Sequence, residues 1–598
     1  MASPDRIALM TSLILLGAPL ACGDSDANSE STDGGSTITT AGSSSSGTDT
    51  SATDGTTAGP GTATDGSSGS TGDGDGDGDG DGDSDTDPIY DVGSGDGDGD
   101  GDGDGDIVTC DDAADKPSNF GCEFWAVDMD QQDGFNDPAS APWGVAISSA
   151  GSGNIDVKIE INIAPPGDPL NLVNVKQLVI GPDEVVPVEL PTRELDCGAM
   201  PNDYNAPGTC LSSNAFRITS SAPIVVYQFN VFKNAFSNDA SLLLPTPALG
   251  KYYRVLGWPA GHPVKILNII DRSAVTIVGT EPDTTVRVVP SWRIKGNPPI
   301  PAAGPGQEIM VNLGPFDVLN LETDDGTFQD NPKTMADLSG TVVLSTKPVA
   351  VFSGVETTSA PGGVIDIPTH PGWTDEDTCC LDHLEEQLFP VESIGQNYVI
   401  TRSPIRSTGN YHEPDVIRFV GGAEDTLVTT SLPAPFTNFT LAPGEVRTTW
   451  ADADFTATAT KPFMVAQILI SQEYCQGTYT GDPALTVFPP VEQYRDEYRI
   501  LTPSDDGLWG WNKNYVVLST EPENVITIDD VEPVDCVVTP AGNLDGADFE
   551  SRRCPVISGV HSIKGATPFG VVAYGYGSAG SYAFPGGADV EPIYEPPT

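Results

Sequence analysis

The chain has 598 residues, ten of them cysteine, and sets 86 acidic side chains against 27 basic ones for a formal charge of −59. That balance excludes a nucleic-acid partner, because a phosphate backbone needs a basic face that so few Lys and Arg cannot build. It equally excludes attachment to an anionic membrane surface by charge alone.

Residues 1–21 read as an export signal. Arg6 precedes the apolar core "IALMTSLILLG", and small residues lead to Cys22 in "APLAC". The core is too short for a permanent transmembrane helix, and no other run approaches eighteen apolar residues. "PLAC" resembles a bacterial lipobox, although Pro19 stands where that motif prefers Leu. Lipid attachment at Cys22 is therefore expected, with simple cleavage and release as the alternative. The membrane is reached only through that anchor.

Residues 22–106 form a Ser/Thr/Gly/Asp-rich linker holding 22 of the acidic residues and no Lys or Arg. Such a segment has too few apolar side chains to offset the entropy of ordering, which predicts a disordered tether. Its alternating Asp-Gly tract lacks the position-twelve Glu and flanking helices of an EF-hand.

From Ile107 onward the composition turns to Val, Thr, Pro, Gly and Tyr. Short alternating runs such as "IDVKIEINI", "TVRVVP" and "NVITIDD" are separated by turn residues. This predicts an all-β chain of tandem antiparallel sandwich-like modules. Four segments share a proline followed by an apolar run: "SAPIVVYQFN", "TKPVAVFSGV", "TKPFMVAQIL" and "ATPFGVVAYG", at Pro223, Pro348, Pro462 and Pro568. Proline is tolerated where a strand opens, and a continuous apolar run suits a strand buried on both faces. A second signature follows the first three. Pro245, Pro390 and Pro490 each precede a tyrosine by eight residues, at Tyr253, Tyr398 and Tyr498, with Gly250 and Gly395 matching and Arg495 in the third copy. The repeats divide the head into modules 107–245, 246–380, 381–490 and 491–598.

In an oxidising compartment the nine cysteines after Cys22 should mostly pair. Proximity predicts Cys110–Cys122, Cys197–Cys210 and Cys536–Cys554, and Cys475 with Cys380 or Cys379, leaving one over. No CxxC spacing occurs, so zinc is not expected. "CCLDHLEEQLFP" is the most chemistry-like stretch. His383 with Asp382 and Glu386 could hold a metal, but the equivalent slots "NDASLLL" and "DPALTVF" lack those groups. The stretch is better read as a solvated joint between modules, with a short helical turn. "YHEPD", Tyr411 to Asp415, is an acid pair in a loop. "GYGSAG", Gly575 to Gly580, spells GxGxxG, yet "SYAFPGG" after it cannot open a helix. No GxSxG, HExxH or P-loop occurs, and neither catalytic residues, metal nor cofactor are expected. Trp509 and Trp511 in "GLWGWNKNY" are the candidate binding residues, with a core role for both indoles as the alternative.

The segments "PIVVYQFN", "SNDASLLLPTPALGKYYRVLGWP", "CCLDHLEEQLFP", "GDPALTVFPPVEQY" and "GYGSAGSYAFPGG" together resemble the N-terminal domain of the IgG-Fc-binding protein family, over roughly Gly144 to Gly587. That family also occurs in secreted bacterial proteins. The resemblance implies an extracellular, non-catalytic binding or adhesion role toward a protein or glycan, at the cell surface, at the outer membrane or in the medium. A self-associating envelope component and a hydrolase with an unrecognised site are the competing expectations.

Overall fold

A computed structural model describes residues 108–132, 138–151, 153–182, 184–195, 197, 208–232, 237–261, 271–324, 336–374, 381–503 and 510–597. The linker and signal expectations fall outside these residues. The described chain is all-β, built from several antiparallel sheets. Among the described residues the single α-helix is Cys110–Asp115, whose N-terminus is closed by a capping box between Thr109 and Asp112.

The proline-linked runs form inner strands paired on both edges, called the middle strands below: Phe216–Asn230, Val349–Thr358, Phe463–Ile468 and Gly559–Gly577. Pro348 and Pro462 stand just before their strands. Pro223 and Pro568 lie inside theirs, where the ladder is interrupted. Strand Gly121–Ala126 shifts register against the first between Gly121 and Glu123, and Arg495–Thr502 shifts against the fourth between Arg495 and Glu497. A bulge asks for no donor from the proline, so both chains run through it. Beyond each proline the run is buried on both faces.

Each middle strand turns into a short strand that closes a hairpin on it: Asp239–Leu242, Asp382–Gln387, Leu485–Val487 and Gly580–Pro585. Each of these has one strand partner, so its other edge is free of ladder bonds. The four free edges converge. The first strand adjoins the second and fourth, and the third adjoins the same two, so they ring a common axis. We call them the axial strands. The second sheet therefore runs past residue 380 to include Asp382–Gln387, and it also takes Cys210–Ser212 from upstream.

Separate apolar clusters link neighbouring parts of the ring. One apolar cluster joins Trp125 and Ile224 to Val351 and to Met464. A second joins Tyr398 and Phe419 to Val517 and Tyr574, and a third joins Tyr227 and Phe229 to Trp511 and Phe584. Chain ends close the circle: Asn119 N donates to the Ala588 carbonyl at 3.0 Å and Val590 N to the Pro117 carbonyl at 3.0 Å.

Disulfides join Cys110–Cys122, Cys197–Cys210 and Cys536–Cys554. Cys475 corrects the expected pairing. It is a free, buried thiol following the 3-10 turn Gln472–Tyr474, held inside the protein, where burial pushes its pKa up to about 12. Cys379 and Cys380 lie outside the described residues.

Candidate functional site

The "DHLEEQ" segment is neither a helical turn nor solvated. It is the second axial strand, and all six residues are buried. Its free edge needs acceptors for the amides of alternate residues, and the first axial strand supplies them from side chains. His383 N donates to Ser237 Oγ at 3.1 Å, Glu385 N to Asp239 Oδ2 at 3.2 Å and Gln387 N to Ser241 Oγ at 2.7 Å. In return Asn238 N donates to Asp382 Oδ1 at 2.5 Å and Leu244 N to Gln387 Oε1 at 2.8 Å. Asp239 Oδ2 also reaches Leu485 N of the third axial strand at 2.9 Å, and Asp382 Oδ2 accepts from Ser581 N of the fourth. The acids thus act as caps for four sheet edges that meet without pairing.

Burial raises the pKa of each of these carboxyls. It holds Asp239, Asp382 and Glu386 well above the usual carboxylate range, lifts Glu385 above its ordinary value, and pushes Asp482 up to about 7. His383 Nε2 stands 3.9 Å from Glu385 Oε2, and both side chains are fully buried. His383, Asp382 and Glu386 therefore belong to the interior of the ring, closed to substrate.

The acids of "YHEPD" are also enclosed. Glu413 Oε1 accepts from Arg406 N at 2.5 Å and Asp415 Oδ1 from Ser403 Oγ at 2.7 Å, so both fasten their loop. "GYGSAG" spans a strand and its hairpin turn, with Ala579 at φ 50°, and leads into the fourth axial strand. Trp511 is 1% exposed, meets Tyr582 edge-on at 5.1 Å and points its Nε1 at the Phe232 carbonyl at 3.4 Å. It is a core indole joining the first and fourth modules, which corrects its candidacy for ligand contact. Trp509 lies outside the described residues.

Among the described residues, Asp130, Glu322 and Glu356 are the one trio of potential ligands whose oxygens lie within 4.8 Å of one another. An all-carboxylate set suits a hard cation. Here, however, Glu322 Oε2 accepts from Gly208 N at 2.9 Å and faces Arg272 Nε at 3.6 Å, with Lys295 close by. Glu322, the one fully buried member, is thus held by a backbone amide and a guanidinium, while Asp130 and Glu356 are half-buried beside it.

One surface concavity among the described residues differs from all of these. Strand Ile526–Ile528 turns at Asp529 and Asp530, both with positive φ, 52° and 62°, as a two-residue hairpin of the I′ kind requires. Ile528 and Val531 exchange both backbone hydrogen bonds across it. The chain then runs over strand Ala547–Val556, to which the Cys536–Cys554 disulfide ties it. Underneath, His561 bridges Asp529 Oδ2 at 2.9 Å and the Ile557 carbonyl at 2.7 Å. The result is a groove of about 290 Å³ lined by Val531, Val534, Pro555, Val556 and Ile557, with Asp529, Glu532 and Asp535 at its rim. Val534 is 90% exposed and Ile557 80%. Sequence reasoning passed over this segment. Its signal is faint: branched apolar residues set among acids in "ITIDDVEPVDCVV", where strand-like alternation breaks down.

The model of the family described as IgGFc binding protein matches residues 239–575, more than half of the chain. The chain belongs to that family. The matched span begins at the first axial strand, ends inside the fourth middle strand and contains the whole groove. A curated relative, the IgGFc-binding protein of Homo sapiens, is 25% identical over 358 residues, covering 58% of this chain and 6% of that much longer protein. No solved structure matches the chain.

Proposed function

We propose that this chain is an exported, non-catalytic binding protein, which presents a closed, disulfide-tied β head at the cell surface on an acidic tether anchored through Cys22. One observation carries the reading. Asp239, Asp382, Glu413 and Asp415 serve as edge caps and loop fasteners inside the ring, and His383 is walled in beside them, whereas an exposed groove on the fourth module is left without an internal role. Family membership supports a binding role, and the disulfides support export. The partner is an extracellular protein. The groove has no exposed aromatic ring on which a sugar could stack, so a glycan is the less suited ligand.

The test immobilises the full chain with its disulfides intact and titrates it with isolated extracellular matrix, IgG Fc and the chain itself. Saturable binding to matrix or Fc is expected. Turnover of a polymeric substrate, abolished by changing one acid, would sink the reading.

A second reading, self-association into an envelope structure, is favoured by a different observation. Strand Leu172–Ile180 is a sheet edge with Leu172, Val173 and Val179 exposed, an open template for another strand. Concentration-dependent growth of the sedimentation coefficient, removed by Val173→Lys, would decide for it.

A further inference from the structure

We propose that the groove on the fourth module binds an extended protein segment carrying a branched apolar side chain between basic residues. The inference deepens the binding reading above and rests on it. Three properties of the groove define the partner.

The first is size. At about 290 Å³ the groove lies at the small end of the range of ligand pockets, and it suits one or two side chains. The second is its apolar surface. Val531, Val534 and Ile557 are exposed around it. Contiguous apolar surface of this kind marks an interaction site when its rim is polar. The third is charge. Asp529, Glu532 and Asp535 line the groove and Asp530 is exposed beside them, while the neighbouring Arg552 and Arg553 are paired with Glu550 and Asp454, which leaves the net charge at the groove negative. A field of one sign around an apolar slot attracts a segment of the opposite sign and repels an acidic one. It also repels an anionic lipid surface, which leaves a basic protein segment as the occupant.

The groove's wall is braced from within the chain. The hairpin turn, the Cys536–Cys554 disulfide and the His561 bridge hold its wall from three sides. A preformed wall spares the ordering cost that a loose loop would add on binding.

The experiment uses the full chain and three fluorescein-labelled hexapeptides: Gly-Lys-Ile-Leu-Lys-Gly, its acidic counterpart with Glu for both Lys, and its apolar deletion with Gly for Ile and Leu. Fluorescence anisotropy should show saturable binding of the first at least tenfold tighter than of either control, weakening as salt rises. The double variant Val534→Glu, Ile557→Glu changes two exposed residues and should keep the thermal midpoint while losing tenfold or more in affinity. Glu532→Lys with Asp535→Lys should turn the preference toward the acidic peptide. Equal binding of all three peptides, or unchanged affinity in Val534→Glu, Ile557→Glu, overturns the groove assignment. Matrix and Fc titrations on the same variants separate the two readings. Matrix binding that survives in a variant with a dead groove leaves the head a binder through another surface and removes this site.

Discussion

At the residue scale, the repeated tyrosine shows how a sequence signature becomes a bond. Tyr253, Tyr398 and Tyr498 each donate from the hydroxyl to the carbonyl of the residue after a repeat proline: Val349 at 2.8 Å, Phe463 at 2.6 Å, and Phe569. Each hydroxyl also accepts a backbone amide three residues upstream, from Gly250, Gly395 or Arg495. The two signatures are thus the two ends of one hydrogen-bonded corner, repeated in three modules. Tyr398→Phe should leave a buried carbonyl and a buried amide unpaired and cost about 1–3 kcal/mol in urea unfolding, with a similar loss for Tyr253→Phe. A loss in one module and none in the other would mean the corners are not equivalent. The axial acids make a sharper contrast. Asp239 accepts amides from Ala240, Glu385 and Leu485, so Asp239→Ala should cost about 3 kcal/mol or more by orphaning three donors. Glu386 accepts from the Ser241 hydroxyl and from the Val487 amide, and the carbonyl oxygen of a glutamine can still accept there. Glu386→Gln should change stability by less than about 1 kcal/mol at pH 5. The types of these residues were plain in the sequence. Their task was not, because an edge cap is defined by the strand it faces, and that strand lies about a hundred residues or more away.

At the element scale, the joints between modules pack on one another. After Pro245, Pro390 and Pro490 the chain makes the 3-10 turns Thr246–Ala248, Val391–Ser393 and Val491–Gln493 before reaching the tyrosine. Gly250 then lies against Pro390, and a Cβ on Gly395 would stand 2.6 Å from the Cβ of Pro490. The matched glycines exist because each joint is a close-packed step onto the next. Gly395→Ala forces two backbones apart and should cost about 1–3 kcal/mol, read as a lower thermal midpoint. An unchanged midpoint would mean the joint yields. Strand type and spacing were legible from alternating apolar residues and from the prolines. The "DHLEEQ" strand was misread because its polar residues suggest solvent, whereas neighbouring edges bury them. That information is tertiary, and no local pattern carries it.

At the scale of the whole molecule, closing the ring around acids makes stability depend on pH. Carboxyls whose pKa is raised by folding hold protons that the unfolded chain releases above about pH 4. Their contribution is therefore complete at low pH and is lost as pH rises through the native values, which lie well above the ordinary carboxylate range for Asp239, Asp382 and Glu386 and at about 7 for Asp482. The urea midpoint of the full chain should be higher at pH 5 than at pH 8, and Glu386→Gln should flatten the difference. A midpoint that rises with pH would show that these acids are ionised and compensated in the folded state. Sequence alone determined the export signal expectation, the acidic composition of residues 22–106, the β class, the repeat and three short-range cysteine pairs, because each of these rests on composition, periodicity or neighbours close along the chain. Tertiary structure decided that the repeat closes into a ring, that its most reactive-looking stretch is walled in as an edge cap, that Trp511 and Cys475 are interior, and that the open surface is a valine-lined groove. Each of those depends on which distant strand edges meet, and burial and exposure follow from that meeting rather than from residue type.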